Sequence, residues 1–187
     1  VSGAVRYPVD ARLYRRYEEF TNWETFVENH FPVTEIPKQT KERAALHKQV
    51  DAHLLTDPAF RALDEAFKTK ITIASELVEQ AAAERKLLFE WVLFDGWYLA
   101  PDFLAVLKRL NKDWVSILKQ NRNLETNSIQ LRDADGKLLA FDRTQIKVSE
   151  LVPLIPPNAY KPITLDDRIY YTFTMTVRIP SIGKVRI

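Results

Sequence analysis

Phe89-Glu90-Trp91-Val92-Leu93-Phe94-Asp95-Gly96-Trp97-Tyr98 is the stretch on which the fold turns: an apolar run of strand length that ends on a carboxylate and is followed at once by glycine. Open α/β sheets place their chemistry at the carboxyl ends of buried strands, because the strand fixes the side chain while the next loop leaves room for a ligand. Asp95 is therefore the leading candidate residue. A strand-ending Asp also caps loops and helices, so its position alone leaves both roles open. Gly96 permits close backbone approach, and Trp97 and Tyr98 set two amphipathic aromatic rings beside the carboxylate.

Working outward, Pro101 to Leu110 has helical spacing and Trp114 to Lys119 is a second strand-like run. Upstream, Ile71, Ala74, Leu77, Val78 and Ala81 share a helix face, which predicts a helix from Lys68 to about Glu84. Helix, strand, helix, strand in this order predicts two adjacent parallel strands joined by a right-handed crossover. After Asn121 the pattern reads as strands only. Ser128 to Arg132 and Lys137 to Phe141 flank Asp135-Gly136, a strong hairpin signal, and Ile169 to Ile179 and Lys184 to Ile187 flank Ser181 to Gly183. Pro153, Pro156 and Pro157 mark a loop between them.

Nearer the amino end, Gly3 to Val9 reads as a short strand, and Leu13 to Phe31 is aromatic-rich without a clear period. Pro32 and Pro37 bracket a turn. Thr40 is the expected cap of a helix over Lys41 to Leu55, and Asp57-Pro58 starts a short helix to Ala66. The expected organisation is an α/β region over 1–127, with a helical segment at about 32–66, followed by a β-rich insertion over 128–187.

The 187 residues, 46% of them hydrophobic, suffice for one domain with a sizeable core. No apolar run reaches the roughly 18 to 20 residues of a membrane span, and the amino terminus lacks a signal-peptide layout, so a soluble, cytoplasmic protein without membrane partners is expected. With no cysteine, disulfides and thiolate zinc sites are excluded. The chain starts without Met and stops in an alternating run, which reads as a segment of a longer protein. Its net charge of +2 is uneven: Val1 to Phe67 carries nine basic and eleven acidic residues, Lys68 to Ile187 eighteen and fourteen. The positive surplus lies in the later part and suits an anionic partner without requiring one.

There is no glycine-rich phosphate loop, nucleophile elbow or His-Glu-x-x-His helix. His47 and His53 flank Asp51 on one expected helix but fall on different faces, which favours solvated helix residues over a metal site. Asp166-Asp167 reads as a turn before a strand. Lys108, Arg109, Lys112, Lys119 and Arg122 form the densest basic stretch. A solvated helix end and a phosphate-contacting rim are both open, with Lys119 and Arg122 expected on the sheet edge that carries Asp95.

Phe67-Lys68-Thr69-Lys70-Ile71-Thr72-Ile73-Ala74, then Trp91-Val92-Leu93-Phe94-Asp95-Gly96-Trp97-Tyr98, then Leu118-Lys119-Gln120-Asn121-Arg122, resembles the middle of the DDE transposases of bacterial and archaeal insertion sequences. Tyr7 to Tyr14 looks like an earlier segment of the same family. The resemblance implies a partial ribonuclease H-like mixed sheet followed by a β-rich insertion. It implies Asp95 as the second of three carboxylates that hold two Mg2+ or Mn2+ ions for DNA cleavage and strand transfer. The first and third carboxylates would lie before Val1 and beyond Ile187, so two-metal chemistry is expected of the parent protein and not of this chain alone. The implied partners are transposon-end DNA, met by Lys112, Lys119 and Arg122, and a second copy of the parent. Two alternatives stay open: a domesticated or decayed transposase segment that binds nucleic acid without catalysis, and a structural or oligomerising domain.

Overall fold

The computed structural model describes residues Asp10–Ile187. The strand expected over Gly3 to Val9 and the Tyr7-Pro8-Val9 part of the family-like segment lie outside the described residues. The chain divides into two compact units, Val1–Ala81 and Ala82–Ile187.

In the first unit, α1 (Tyr17–Thr21) and α2 (Trp23–His30) are joined by Asn22 in the left-handed region, φ 53°. The sequence reading leaves this stretch irregular. Asn tolerates that conformation, so one residue breaks the helical period and hides it in a sequence window. Next come α3 (Thr40–Leu54) and α4 (Pro58–Ala66). Thr40 is not a cap: Gln39 holds that position, with no side-chain hydrogen bond. Asp57 caps α4 as expected, its Oδ1 accepting the Ala59 and Phe60 amides at 2.8 and 3.3 Å, with Pro58 preset for the first turn. Trp23, Val27, Leu46, Val50, Leu54 and Phe60 form the buried core of this unit.

Over that core lies a polar cluster. Arg43 Nε donates to both oxygens of Glu18 at 2.7 Å, and Nη2 of the same guanidinium donates to Glu24. His47 stacks on Trp23 at 4.0 Å between ring centroids, and its ring nitrogens lie 2.9 Å from Asp51 and 2.8 Å from Glu18. His47 is thus part of a half-buried network and not a solvated helix residue. Tertiary contacts from α1 and α2 decide this, and spacing along α3 carries no trace of them. Among the described residues no group of three His, Asp or Glu side chains is placed to hold a metal ion. A fifth helix, α5 (Lys70–Glu79), is capped by Thr69 Oγ1, which accepts the Thr72 amide at 3.1 Å, and continues as one wider turn, Gln80–Glu84.

The second unit holds the strand–helix–strand module. β1 (Trp91–Phe94) pairs in parallel with β2 (Asp113–Ser116), from Trp91 opposite Asp113 to Phe94 opposite Ser116. The parallel, adjacent pairing is as the sequence predicts, though each strand is shorter than its apolar run. Between them α6 (Pro101–Arg109) buries Phe103 and Leu107. The Phe103 ring meets Phe94 edge-on at 5.1 Å, and Phe94 in turn packs on Trp114 at 5.7 Å. A Schellman turn ends the helix: Asn111 takes φ 53°, its amide donates to Lys108 O, and the Lys112 amide donates to Leu107 O. The opposite sheet face leaves Trp91, Leu93, Val115 and Ile117 exposed.

Beyond β2 the expectation of strands only is corrected. β3 (Asn123–Glu125) and β4 (Gln145–Lys147) pair antiparallel, but a short helix α7 (Val148–Leu151) follows, with one-turn helices at Thr126–Ser128, Val152–Leu154 and Pro157–Ala159. Glu150 starts α7 by accepting the Lys147 amide at 3.0 Å, and Pro153 and Pro157 suit first-turn geometry. The Asp135-Gly136 turn forms, yet its flanks make only one bridge, Arg132 to Leu138. The expected long strand over Ile169 to Ile179 is two strands. Here β5 (Lys161–Leu165) pairs with β6 (Arg168–Thr172), and β7 (Thr176–Ile179) pairs with β8 (Gly183–Arg186). Asp166 and Asp167, at φ 48° and 59°, make the two-residue turn of the first hairpin, which a reading as one turn before one strand overlooks. Leu124, Ile129, Leu131, Ile146, Leu151, Val177 and Ile179 form the core here, with Leu118 packed against it. Helices and strands therefore mix at the level of an α/β protein, with parallel and antiparallel pairs in separate two-stranded sheets among the described residues.

Two outcomes follow from this packing. Phe103→Ala is expected to cost about 3–5 kcal/mol in urea denaturation because it opens a void under β1, whereas Leu93→Ala, on the exposed face, stays within about 0.5 kcal/mol of the parent. In the first unit the Arg43 guanidinium, followed by His47, holds the Glu18 carboxyl below its ordinary value of 4.5. A depressed carboxyl stabilises the fold above its unfolded pKa and loses that contribution as pH falls through the folded one. Between about pH 5 and 3 the wild-type stability should therefore fall more steeply than that of Glu18→Gln, measured by denaturant midpoints across that range.

Candidate functional site

The carboxyl edge of the β1–β2 pair is the place where sequence candidates and geometry meet. Because the strands are parallel, the loops that follow them leave the same edge. Asp95 opens the first loop, with its side chain exposed. Its Oδ1 accepts the Trp97 amide at 2.9 Å, and its backbone oxygen accepts the Tyr98 amide at 2.9 Å, so the carboxylate also stiffens the turn that carries it. The bland and the functional readings of Asp95 are compatible, since one oxygen holds the turn while a carboxylate offers about four lone-pair sites.

Gly96 is where the two loops touch. A Cβ built on it would lie 2.4 Å from the Ile117 carbonyl oxygen, closer than real Cβ atoms come to any atom. No other residue fits that approach, which explains a glycine between Asp95 and Trp97. The sequence suggests a second strand that runs to Lys119, whereas β2 ends at Ser116, opposite Phe94.

Lys119, which the sequence reading sets at the end of the second strand, lies with Arg122 in the loop that follows β2. Lys119 Nζ sits 3.3 Å from the centroid of the Trp97 ring, and Arg122 Nη2 donates to Leu99 O at 3.3 Å, so both cations are held against the loop of Asp95. The turn between them is closed by the Arg122 amide on Lys119 O, and it is tied to α7 through Val148 N to Arg122 O and Ser149 N to Gln120 O. Beside it opens a cleft of about 430 Å3 lined by Lys119, Asn121, Arg122, Asn123, Gln145, Pro180 and Ser181. The participation of the β-rich part, through Gln145 and the Pro180-Ser181 turn, is not legible in the sequence. Those residues lie 23 or more positions beyond Arg122 and reach the edge only through the β3–β4 and β7–β8 hairpins.

Lys112 belongs elsewhere. It precedes β2, where its Nζ donates to Phe89 O at 2.6 Å and lies 4.5 Å from the Phe89 ring centroid. That is the amino edge of the sheet, level with Glu90 and roughly 16 Å from Asp95 at about 3.3 Å per strand residue. Lys108 and Arg109 end α6 on that side as well. The basic stretch that looks continuous in sequence is thus divided between opposite edges, because α6 runs back against the strand direction.

Asp95 opens this edge, and Asp102 stands in the first turn of α6, which starts from the same side. Two hard cations about 4 Å apart require several oxygen ligands, and among the described residues no acidic cluster supplies them. The described residues by themselves do not assemble a complete two-metal centre. No helix among the described residues is long and apolar enough to cross a membrane.

Gly96→Ala tests the edge directly. The added methyl must displace the Ile117 carbonyl or open the loop, and a destabilisation of about 1–3 kcal/mol in chemical denaturation is expected. A stability equal to the wild type would mean that the two loops are not held together.

Comparison of the chain with protein-family models, with curated proteins and with solved structures finds no match.

Proposed function

We propose that this chain is a segment of the ribonuclease H-like catalytic region of a DDE transposase and that its carboxyl sheet edge faces DNA. One observation carries the reading: the parallel β1–β2 pair sets Asp95 on the same edge as Lys119 and Arg122. A carboxylate that serves as a metal ligand and two cations that meet phosphates are the groups that cutting and joining a phosphodiester requires. The exposed apolar face of this pair supports a larger sheet, since parallel strands are ordinarily covered on both faces.

On this reading Asp95 is the second of three carboxylates that hold two Mg2+ or Mn2+ ions in the parent. In the family that the sequence resembles, the other two stand on elements before and after the stretch of likeness. A second reading is a non-catalytic nucleic-acid-binding segment. The same cationic edge, with Lys119 and Arg122 held against the loop of Asp95, would serve it. Asp95 separates the two, because only the first gives its carboxylate a task beyond holding the turn.

The measurement is a salt titration of DNA affinity. Replacing Lys119 and Arg122 together with Ala should weaken binding similarly across DNA sequences and reduce the slope of log K against log salt by about one for each phosphate no longer neutralised. Lys112→Ala, at the opposite edge, should leave the slope unchanged. A double variant whose line overlays the wild type would reject the phosphate role. Asp95→Asn should retain DNA affinity in this chain and abolish metal-dependent DNA cleavage in the parent, whereas equal cleavage by the variant would assign the parent's chemistry elsewhere.

A further inference from the structure

Trp97 is 77% exposed although it follows a carboxylate in a loop pinned on both sides. An indole left in water on a rigid loop has one face available for a flat partner. Its backbone is fixed by the Asp95 carboxylate and by the Gly96 approach to Ile117, so little ordering cost remains when a ligand docks. Lys119 lies over the ring and also lines the neighbouring cleft. That one side chain joins an aromatic surface to a polar, cationic pocket. The cleft, at about 430 Å3, has the size of a small-ligand site, and its lining combines two cations with the amide side chains of Asn121, Asn123 and Gln145. Asn123 Nδ2 donates to Gln145 Oε1 at 3.0 Å, which braces the amide wall.

A ligand with an anionic group and a planar ring a few ångströms away matches both parts. A nucleotide unit has that chemistry. We propose that Trp97 stacks on an unpaired base of a nucleic-acid strand whose phosphate lies in the cleft between Lys119 and Arg122. In a duplex the base faces are covered by their neighbours, so this edge selects single-stranded or frayed substrate over fully paired DNA. The proposal rests on the reading of this edge as a nucleic-acid surface and adds the state of the substrate there. Trp97 is a binding residue in this account, and it touches no reacting atom.

The test uses the whole 187-residue chain. Fluorescence anisotropy is measured at low salt with a labelled oligothymidylate, with a fully paired duplex of the same length, and with thymidine monophosphate as competitor. Wild type, Trp97→Ala, Trp97→Phe and the Lys119/Arg122 double alanine variant are compared, each checked for folding by circular dichroism. The expected result is tighter binding of the single strand than of the duplex. Trp97→Ala should weaken single-strand binding by about 10-fold or more and leave duplex binding unchanged, and Trp97→Phe should keep most of the affinity. The double variant should weaken both forms. Four results would overturn the proposal. Unchanged single-strand affinity in Trp97→Ala beside a weakened double variant removes the stacking role and leaves the DNA surface standing, whereas no effect of either variant removes both. An equal weakening on both DNA forms makes Trp97 a support for Lys119 and not a base platform. Thymidine monophosphate that competes as strongly as the oligonucleotide makes the ligand a free nucleotide.

Discussion

The parallel pairing of β1 with β2, held in register by α6 beneath it, is the constraint on which the rest of the second unit depends. Phe103 and Leu107 are buried, and the Phe94, Phe103 and Trp114 rings lock against one another. Parallel strands send their following loops out of one edge. Once four residue pairs are in register, Asp95 and Lys119 must emerge as neighbours, whatever the loops themselves prefer. Antiparallel pairing of the same two strands would separate them by the length of the sheet.

The edge is then sharpened by backbone contact. Gly96 lets the Ile117 carbonyl approach more closely than a side chain allows, and the Asp95 carboxylate closes the turn that presents Trp97. Arg122 reaches back to Leu99 O and is itself anchored to α7. The β-rich part is thereby more than an appendage. It holds the second loop in place and lends Gln145 and Ser181 to the cleft. A site built from two loops and supported by packed hairpins is more rigid than either loop alone, which is the condition for placing a carboxylate and two cations usefully.

The first unit is organised differently. Its apolar core is topped by charges in close array, with Arg43 between Glu18 and Glu24 and His47 between Glu18 and Asp51. Stacking of His47 on Trp23 ties the array to the core. Partners that converge from α1, α2 and α3 make this a device for fixing the angles between short helices. Helices of 5 and 8 residues have little stability of their own and take it from such tertiary contacts.

By itself the sequence determined the strand–helix–strand order, the cap at Asp57, the turns at Asp135-Gly136 and Asp166-Asp167, and the position of Asp95 just after the first strand of the parallel pair. These are local signals: hydrophobic period, capping chemistry and the step from strand to loop all act within a few residues. It left unread the helices on either side of Asn22, because one left-handed residue resets the period, and the second strand pair within Lys161 to Ile179. Only the tertiary structure divided the basic stretch between opposite sheet edges, placed His47 in a carboxylate network and brought Gln145 and Ser181 beside Arg122. The direction in which a helix returns across a sheet, and the partner that a side chain meets across 20 or more residues, follow from close packing in three dimensions, which no local period encodes.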